Sequence, residues 1–158
     1  MDLNIKCLPF NSRGAVALAA VVAVAITTEG RAGNPYPPGK VQVNGEYWPT
    51  LVEGDATLTW AHRNRFTLRE LGRVVQQDEA SQGAVEGTYR IEVLLDGVVE
   101  AGRTQENLTG TSFVYTFAQY QVDDPTETAL VSFRLTSVNG ARAGRARTTD
   151  EFMMGAGS

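Results

Sequence analysis

A chain of 158 residues, 42% apolar and 20% charged, has the balance of a globular domain of ordinary size rather than of a disordered segment. Its formal charge of −4 excludes an overall basic footprint for nucleic acid. Cys7 is the sole cysteine, so no internal disulfide is available, no redox compartment follows, and stability must come from packing.

Residues 1–33 form an extra N-terminal apolar segment that admits three readings. Lys6 and Arg13 precede a run from Ala15 to Ile26. The basic start, the short apolar run and the Ala23-Val24-Ala25 triplet fit a secretory signal peptide. Alternatively, Leu3, Ile5 and Cys7 alternate before a turn at Asn11–Gly14, and the chain then reaches Thr27-Thr28-Glu29. Phe133, Leu135 and Ser137 behave in the same way before Asn139–Gly144 and Thr148–Glu151. That parallel fits strands of a partial preceding sandwich module. A buried Ala/Val helix is the third reading. The run is shorter than the ~20 apolar residues of a membrane-crossing helix, so no membrane span is expected.

Arg31 to Gly39, with three prolines and two glycines, is a boundary that can continue neither a helix nor a central strand. A module is expected over residues 34–152. Lys40–Asn44 predicts a short strand, and Gly45–Thr50 a turn carrying Tyr47, Trp48 and Pro49. Leu58 and Trp60 alternate with Thr57, Thr59 and Ala61, which predicts a second, half-buried strand. A long polar stretch follows from His62 to Gly87, with helical spacing of Leu68, Leu71 and Val75 weakened by Gly72. Its length predicts a mobile loop that carries recognition.

Thr88–Leu95 predicts the clearest strand, with Tyr89, Ile91, Val93 and Leu95 on one face. Asp96-Gly97 signals a tight hairpin, and Val98–Thr104 returns. Ser112–Tyr120 is read as one strand with Phe113, Tyr115 and Phe117 on a shared face. Asp123-Asp124-Pro125 turns, Ala129–Val138 is a strand, Asn139-Gly140 turns again, and Arg145–Thr148 is the last strand. Residues 153–158 read as a flexible Gly-rich tail. The expected core is Trp60, Tyr89, Ile91, Val93, Phe113, Tyr115, Phe133 and Leu135.

No catalytic, cofactor-binding or metal-binding constellation stands out. His62 is the sole histidine and has no Ser/Asp partner or second ligand spaced to serve it, so a loop hydrogen-bonder is expected. Asp123-Asp124 and Asp150-Glu151 would need to meet at one pole to bind calcium; a solvated turn is the simpler expectation. Tyr36, Tyr47 and Trp48 would make an aromatic platform for sugar if exposed, whereas Tyr47 and Trp48 are expected to pack over the open end of the sandwich. The arginines at 63, 65, 69 and 73, and at 142, 145 and 147, are expected on solvated edges and loops because acidic residues intervene. Asn107-Leu108-Thr109 is an N-glycosylation sequon, which is silent in a source that does not glycosylate such sites.

Seven short strands in this order, with Trp60 on the second, resemble the fibronectin type III (Ig-like) β-sandwich. Phe133–Gly140 is similar to that family's sixth strand, with Phe133 where Tyr is usual. Trp60–Arg65, the long loop and Glu86–Ile91 resemble fibronectin-type modules in tail proteins of tailed bacteriophages, as do Pro38–Gly45 and Leu108–Phe113. The resemblance implies an all-β fold and a non-enzymatic structural or interaction module of a phage tail or tail-like particle. The implied location is the virion, the implied partners are other virion proteins, with host-surface glycan as a secondary contact, and no cofactor is implied. The competing expectation is a secreted or periplasmic adhesion or carbohydrate-binding module. In either case the candidate interaction surface is Tyr36, Trp48, His62, Arg63, Arg65, Arg69 and Arg73.

Overall fold

The computed structural model describes residues 2–5, 10–11, 14–15, 21–27, 33–64 and 85–157. The chain divides into two compact units, Met1–Gly33 and Asn34–Ser158. Cys7, the mobile-loop and helical readings of residues 65–84, and Arg65, Arg69 and Arg73 lie outside the described residues.

The first unit contains β1 (Asp2–Ile5), β2 (Phe10–Asn11), β3 (Gly14–Ala15) and β4 (Val24–Thr27). β1 pairs antiparallel with β4, and β2 with β3. Both ends of the apolar run are therefore strand, which corrects the helix reading there. The β-branched Val24, Ile26 and Thr27 favour extended backbone.

The second unit is mostly β. Its strands are β5 (Gly39–Val43), β6 (Leu51–Glu53), β7 (Ala56–Ala61), β8 (Thr88–Leu95), β9 (Val98–Val99), β10 (Gln105–Leu108), β11 (Ser112–Tyr115), β12 (Val131–Asn139), β13 (Arg142–Ala143), β14 (Arg147–Thr148) and β15 (Met153–Gly155). Among the described residues one α-helix, α1 (Phe117–Asp123), interrupts them. β11, β7 and β5 form one antiparallel sheet. A second runs β10-β8-β12-β13, with β9 beside β8 and β14 beside β12.

Period-2 alternation puts one face of each sheet into a shared core. Leu58 and Trp60 of β7 and Tyr115 of β11 meet Tyr89, Ile91 and Val93 of β8 and Val131, Phe133 and Leu135 of β12. Aromatic rings join the two sheets edge-on: Trp60 with Tyr89 at 5.3 Å, and Tyr115 with Phe133 at 6.3 Å. The arrangement is sandwich-like. Seven of the eight expected core residues are buried, and Phe113 packs partly buried against them. Leu95, placed on the inward face of β8, is likewise only partly buried.

The turns follow the chemistry of their residues. Asp96 and Gly97 both have positive φ, 48° and 76°, as a type I′ hairpin between β8 and β9 requires. Asn44-Gly45 does the same between Val43 and Glu46, whose backbones exchange two 2.9 Å hydrogen bonds.

Four expectations are corrected. The Ser112–Tyr120 strand stops at Tyr115, because Thr116 and Gln119 form a reciprocal capping box that starts α1. The Thr116 hydroxyl accepts from Gln119 N at 3.2 Å, and Gln119 Oε1 accepts from Thr116 N at 3.0 Å. The return after Asp96-Gly97 lasts two residues before a 3₁₀ turn at Ala101–Arg103. β6 intervenes before the Trp60 strand, which is then third in this unit. Residues 153–155, read as part of a loose tail, form a strand parallel to β6, with Met154 buried in the core. The backbone of β6 supplies the pairing that a Gly-rich segment cannot supply from its own side chains.

Candidate functional site

The candidate residues separate into two neighbourhoods. At the end of β7, His62 Nδ1 lies 2.9 Å from the Tyr89 hydroxyl, with the two rings stacked 11° from parallel. Burial lowers the His62 pKa. Burial pushes the Tyr89 hydroxyl up to about 12, although the Trp60 indole and the Arg63 charge pull the other way. Near neutral pH the pair is uncharged, a link between the end of β7 and the start of β8.

Arg63 was expected on the interaction surface, yet it is only 6% exposed. Its guanidinium lies against Gly39, where a β-carbon would collide with it, and Nη1 donates to the His62 carbonyl at 3.1 Å. The absent side chain at Gly39 opens the space that the arginine fills.

Asp123 and Asp124, considered for calcium, serve the fold. Arg103 Nε and Nη2 donate to Asp123 Oδ2 and Oδ1 at 2.7 and 2.9 Å, and the Tyr115 hydroxyl donates to Oδ2 at 2.7 Å. Burial pushes the Asp123 carboxyl up, but Arg103 and Tyr115 outweigh it and leave the pKa lowered. Tyr115 is raised, first by burial and then by bonding to the carboxylate. Asp124 accepts from the Thr126 hydroxyl and from the backbone N–H groups of Thr126, Thr128 and Ala129, within 2.6–3.0 Å. Among the described residues, no group of three or more His, Cys, Asp or Glu could hold a metal ion. No helix among them is long and apolar enough to cross a membrane.

The second neighbourhood is exposed. Trp48 is 68% exposed and Tyr36 44%. Trp48 had been expected to pack over the sandwich end. Instead Pro49 is buried while Trp48 and Thr50 on either side are exposed, so the buried position at this turn goes to the proline. The Tyr47 and Trp48 rings meet at 5.6 Å, tilted by 45°. With Val41 of β5 they form one wall of a groove of about 170 Å³. The other wall is Arg147, Thr148, Thr149 and Asp150, at and just after β14. The groove is therefore a seam between an edge strand of one sheet and an outer strand of the other.

Thr149 is fixed in this wall. Its hydroxyl accepts from Phe133 N at 3.0 Å, and its own N–H donates to the Phe133 carbonyl at 2.9 Å. Of the residues named from sequence, Trp48 lines the groove and Tyr36, His62 and Arg63 do not. Arg147–Asp150 were missed as its facing wall. Their signal, a polar run after the Asn139-Gly140 turn, does not reveal which edge of the sandwich they reach.

No family model matches the chain, and comparison with curated proteins finds no match.

Proposed function

We propose that this chain is a non-enzymatic structural and interaction module of a phage tail or tail-like particle, built on a fibronectin type III-like sandwich. The observation that carries the reading is the strand partition. The first, second and fifth strands of the fibronectin order correspond to β5, β7 and β11 in one sheet. The third, fourth, sixth and seventh correspond to β8, β10, β12 and β13/β14 in the other. Trp60 stands on the second of these strands, as the resemblance expects. Such a scaffold presents loops and edges on a rigid core and needs no cofactor to do so.

Assembly through edges is physically reasonable. Among the described residues β5 is an edge strand, and its register against β7 shifts between Gly39 and Gln42, an irregularity of the kind that blunts pairing with a stray chain. Among the described residues β11 and β10 stand at the ends of their sheets, edges where a neighbouring virion protein can add a strand. Proteomics of purified virions from the source tests the placement. The polypeptide is expected in intact particles; its absence from them, with secretion by a cell that carries no prophage, overturns the reading.

The second reading is a secreted or periplasmic adhesion or carbohydrate-binding module. The exposed Trp48 beside a polar groove favours it. Intact mass after expression in a bacterium separates the two, since loss of residues 1–25 supports secretion.

A further inference from the structure

We infer that the groove between Trp48 and Arg147–Asp150 binds a single neutral pyranose ring, its C–H face laid on the Trp48 indole. The inference rests on the surface-contact reading above and assigns it a ligand class and a place.

Trp48 leaves 68% of its surface in water, although burial of so large a side chain is strongly favourable. A flat, exposed indole offers apolar contact to one face of a sugar ring. Tyr47, tilted 45° beside it, makes the wall two-sided rather than flat. The opposite wall supplies the hydrogen-bonding groups that ring hydroxyls need: a guanidinium, threonine side chains and a carboxylate. The Arg147 side chain is partly exposed and lines the groove, so its guanidinium can offer donors to ring hydroxyls.

Size and charge narrow the ligand. At about 170 Å³ the groove falls below the roughly 300–1,000 Å³ of pockets for drug-sized ligands, which suits one ring rather than a buried oligosaccharide. Arg147 and Asp150 have opposite charges in the same wall, so the groove offers no net field for an acidic sugar. The chain's charge of −4 also disfavours a polyanionic glycan. The rigid mounting of Thr149 on β12 lowers the ordering cost of binding. Affinity for one ring in so open a groove belongs in the millimolar range, and repetition of the module along a particle raises it by avidity.

The test is an NMR titration of the whole chain with a panel of neutral methyl pyranosides: β-glucoside, β-galactoside, α-mannoside and N-acetyl-β-glucosaminide. The chain has two tryptophans, so the indole N–H signals of buried Trp60 and exposed Trp48 are read separately. At least one sugar is expected to shift the Trp48 indole and the Thr148 and Thr149 amides saturably, leaving the Trp60 indole in place. Trp48→Ala should abolish the amide shifts while the spectrum stays dispersed, and Asp150→Asn should weaken binding several-fold. No shift with any sugar at tens of millimolar, or amide shifts that persist in Trp48→Ala, overturns the inference. A chain found in virions but inert to the whole panel removes this site and keeps the module reading. A chain that binds sugar but is absent from particles does the reverse.

Discussion

Arg103 grips Asp123 with two parallel hydrogen bonds, Nε to Oδ2 at 2.7 Å and Nη2 to Oδ1 at 2.9 Å. The contact fastens the last residue of α1 to the 3₁₀ turn after β9, and the Tyr115 hydroxyl adds β11 to the same carboxylate. Three successive parts of the chain thus share one acidic side chain that is largely buried. Charge-assisted, two-pronged pairing is the strong form of the hydrogen bond. Asp123→Ala should lower unfolding free energy by about 3 kcal/mol, because it strands both donors. Tyr115→Phe removes one donor and should cost about 1–2 kcal/mol. Urea unfolding of the single variants and of Arg103→Ala/Asp123→Ala checks this. The double variant is expected to lose less than the sum of the singles.

Stability should also fall in acid through Asp124. Its bonds to Thr126, Ala129 and Thr128 push its pKa from the ordinary 3.8 down to about 2. A depressed folded-state pKa means that the unfolded chain takes up the proton first as pH drops. The stabilisation is therefore fully present above about pH 4 and is lost progressively as pH falls toward about 2. Asp123, also lowered, acts in the same direction. Unfolding free energy measured from pH 6 to pH 2 should decline over that window. Asp124→Asn should flatten the decline, and an identical pH profile in that variant would contradict the assignment.

Much of the sandwich was legible because its signals are local. Leu58 and Trp60, or Tyr89, Ile91 and Val93, alternate at the strand period, and Asp96-Gly97 names its own turn. The helix at Phe117–Asp123 was equally written in the sequence, as Thr116-x-x-Gln119, but the alternation of Phe113, Tyr115 and Phe117 overrode it. The pairing of Met153–Gly155 with Leu51–Glu53 carries no local signal, since a short Gly-containing segment becomes a strand only when a partner backbone lies beside it. Arg63 misled for a related reason. An arginine after a strand reads as surface, and the space that buries it comes from Gly39, more than twenty residues earlier. The candidate groove divides in the same way: the aromatic wall is a sequence feature, whereas the facing Arg147–Asp150 wall depends on how β14 lies beside β12.

Gly87 provides a sharper test of close packing. A β-carbon there would collide with the Val138 carbonyl oxygen, and Thr88 pairs with Val138 in the next position of the β8–β12 ladder. Backbone held by a ladder cannot move aside as a flexible side chain can. Gly87→Ala should destabilise by about 1–3 kcal/mol through overpacking. A matched Gly110→Ala variant, where a β-carbon meets nothing within 4 Å, should stay close to the parent. Equal thermal midpoints for the two variants would remove the steric argument.

The two tryptophans should respond in opposite ways to the same substitution. Trp60 is 4% exposed, sits inward on β7 and meets Tyr89 edge-on at 5.3 Å across the sheets. Tyr89 in turn stacks on His62, so removal of the indole leaves a cavity beside a ring that anchors the end of the same strand. Trp60→Ala is therefore expected to cost about 3–5 kcal/mol, through lost burial and incomplete collapse of the space. Trp48, exposed on its turn, makes a ring contact with Tyr47 and little else among the described residues, so Trp48→Ala should stay within about 0.5 kcal/mol of the parent. Urea midpoints and thermal melts of both variants, measured under one buffer condition, give the comparison. An unchanged midpoint for Trp60→Ala would place that indole outside the core. A loss above about 1 kcal/mol for Trp48→Ala would mean that its ring is held by the fold rather than presented to a ligand.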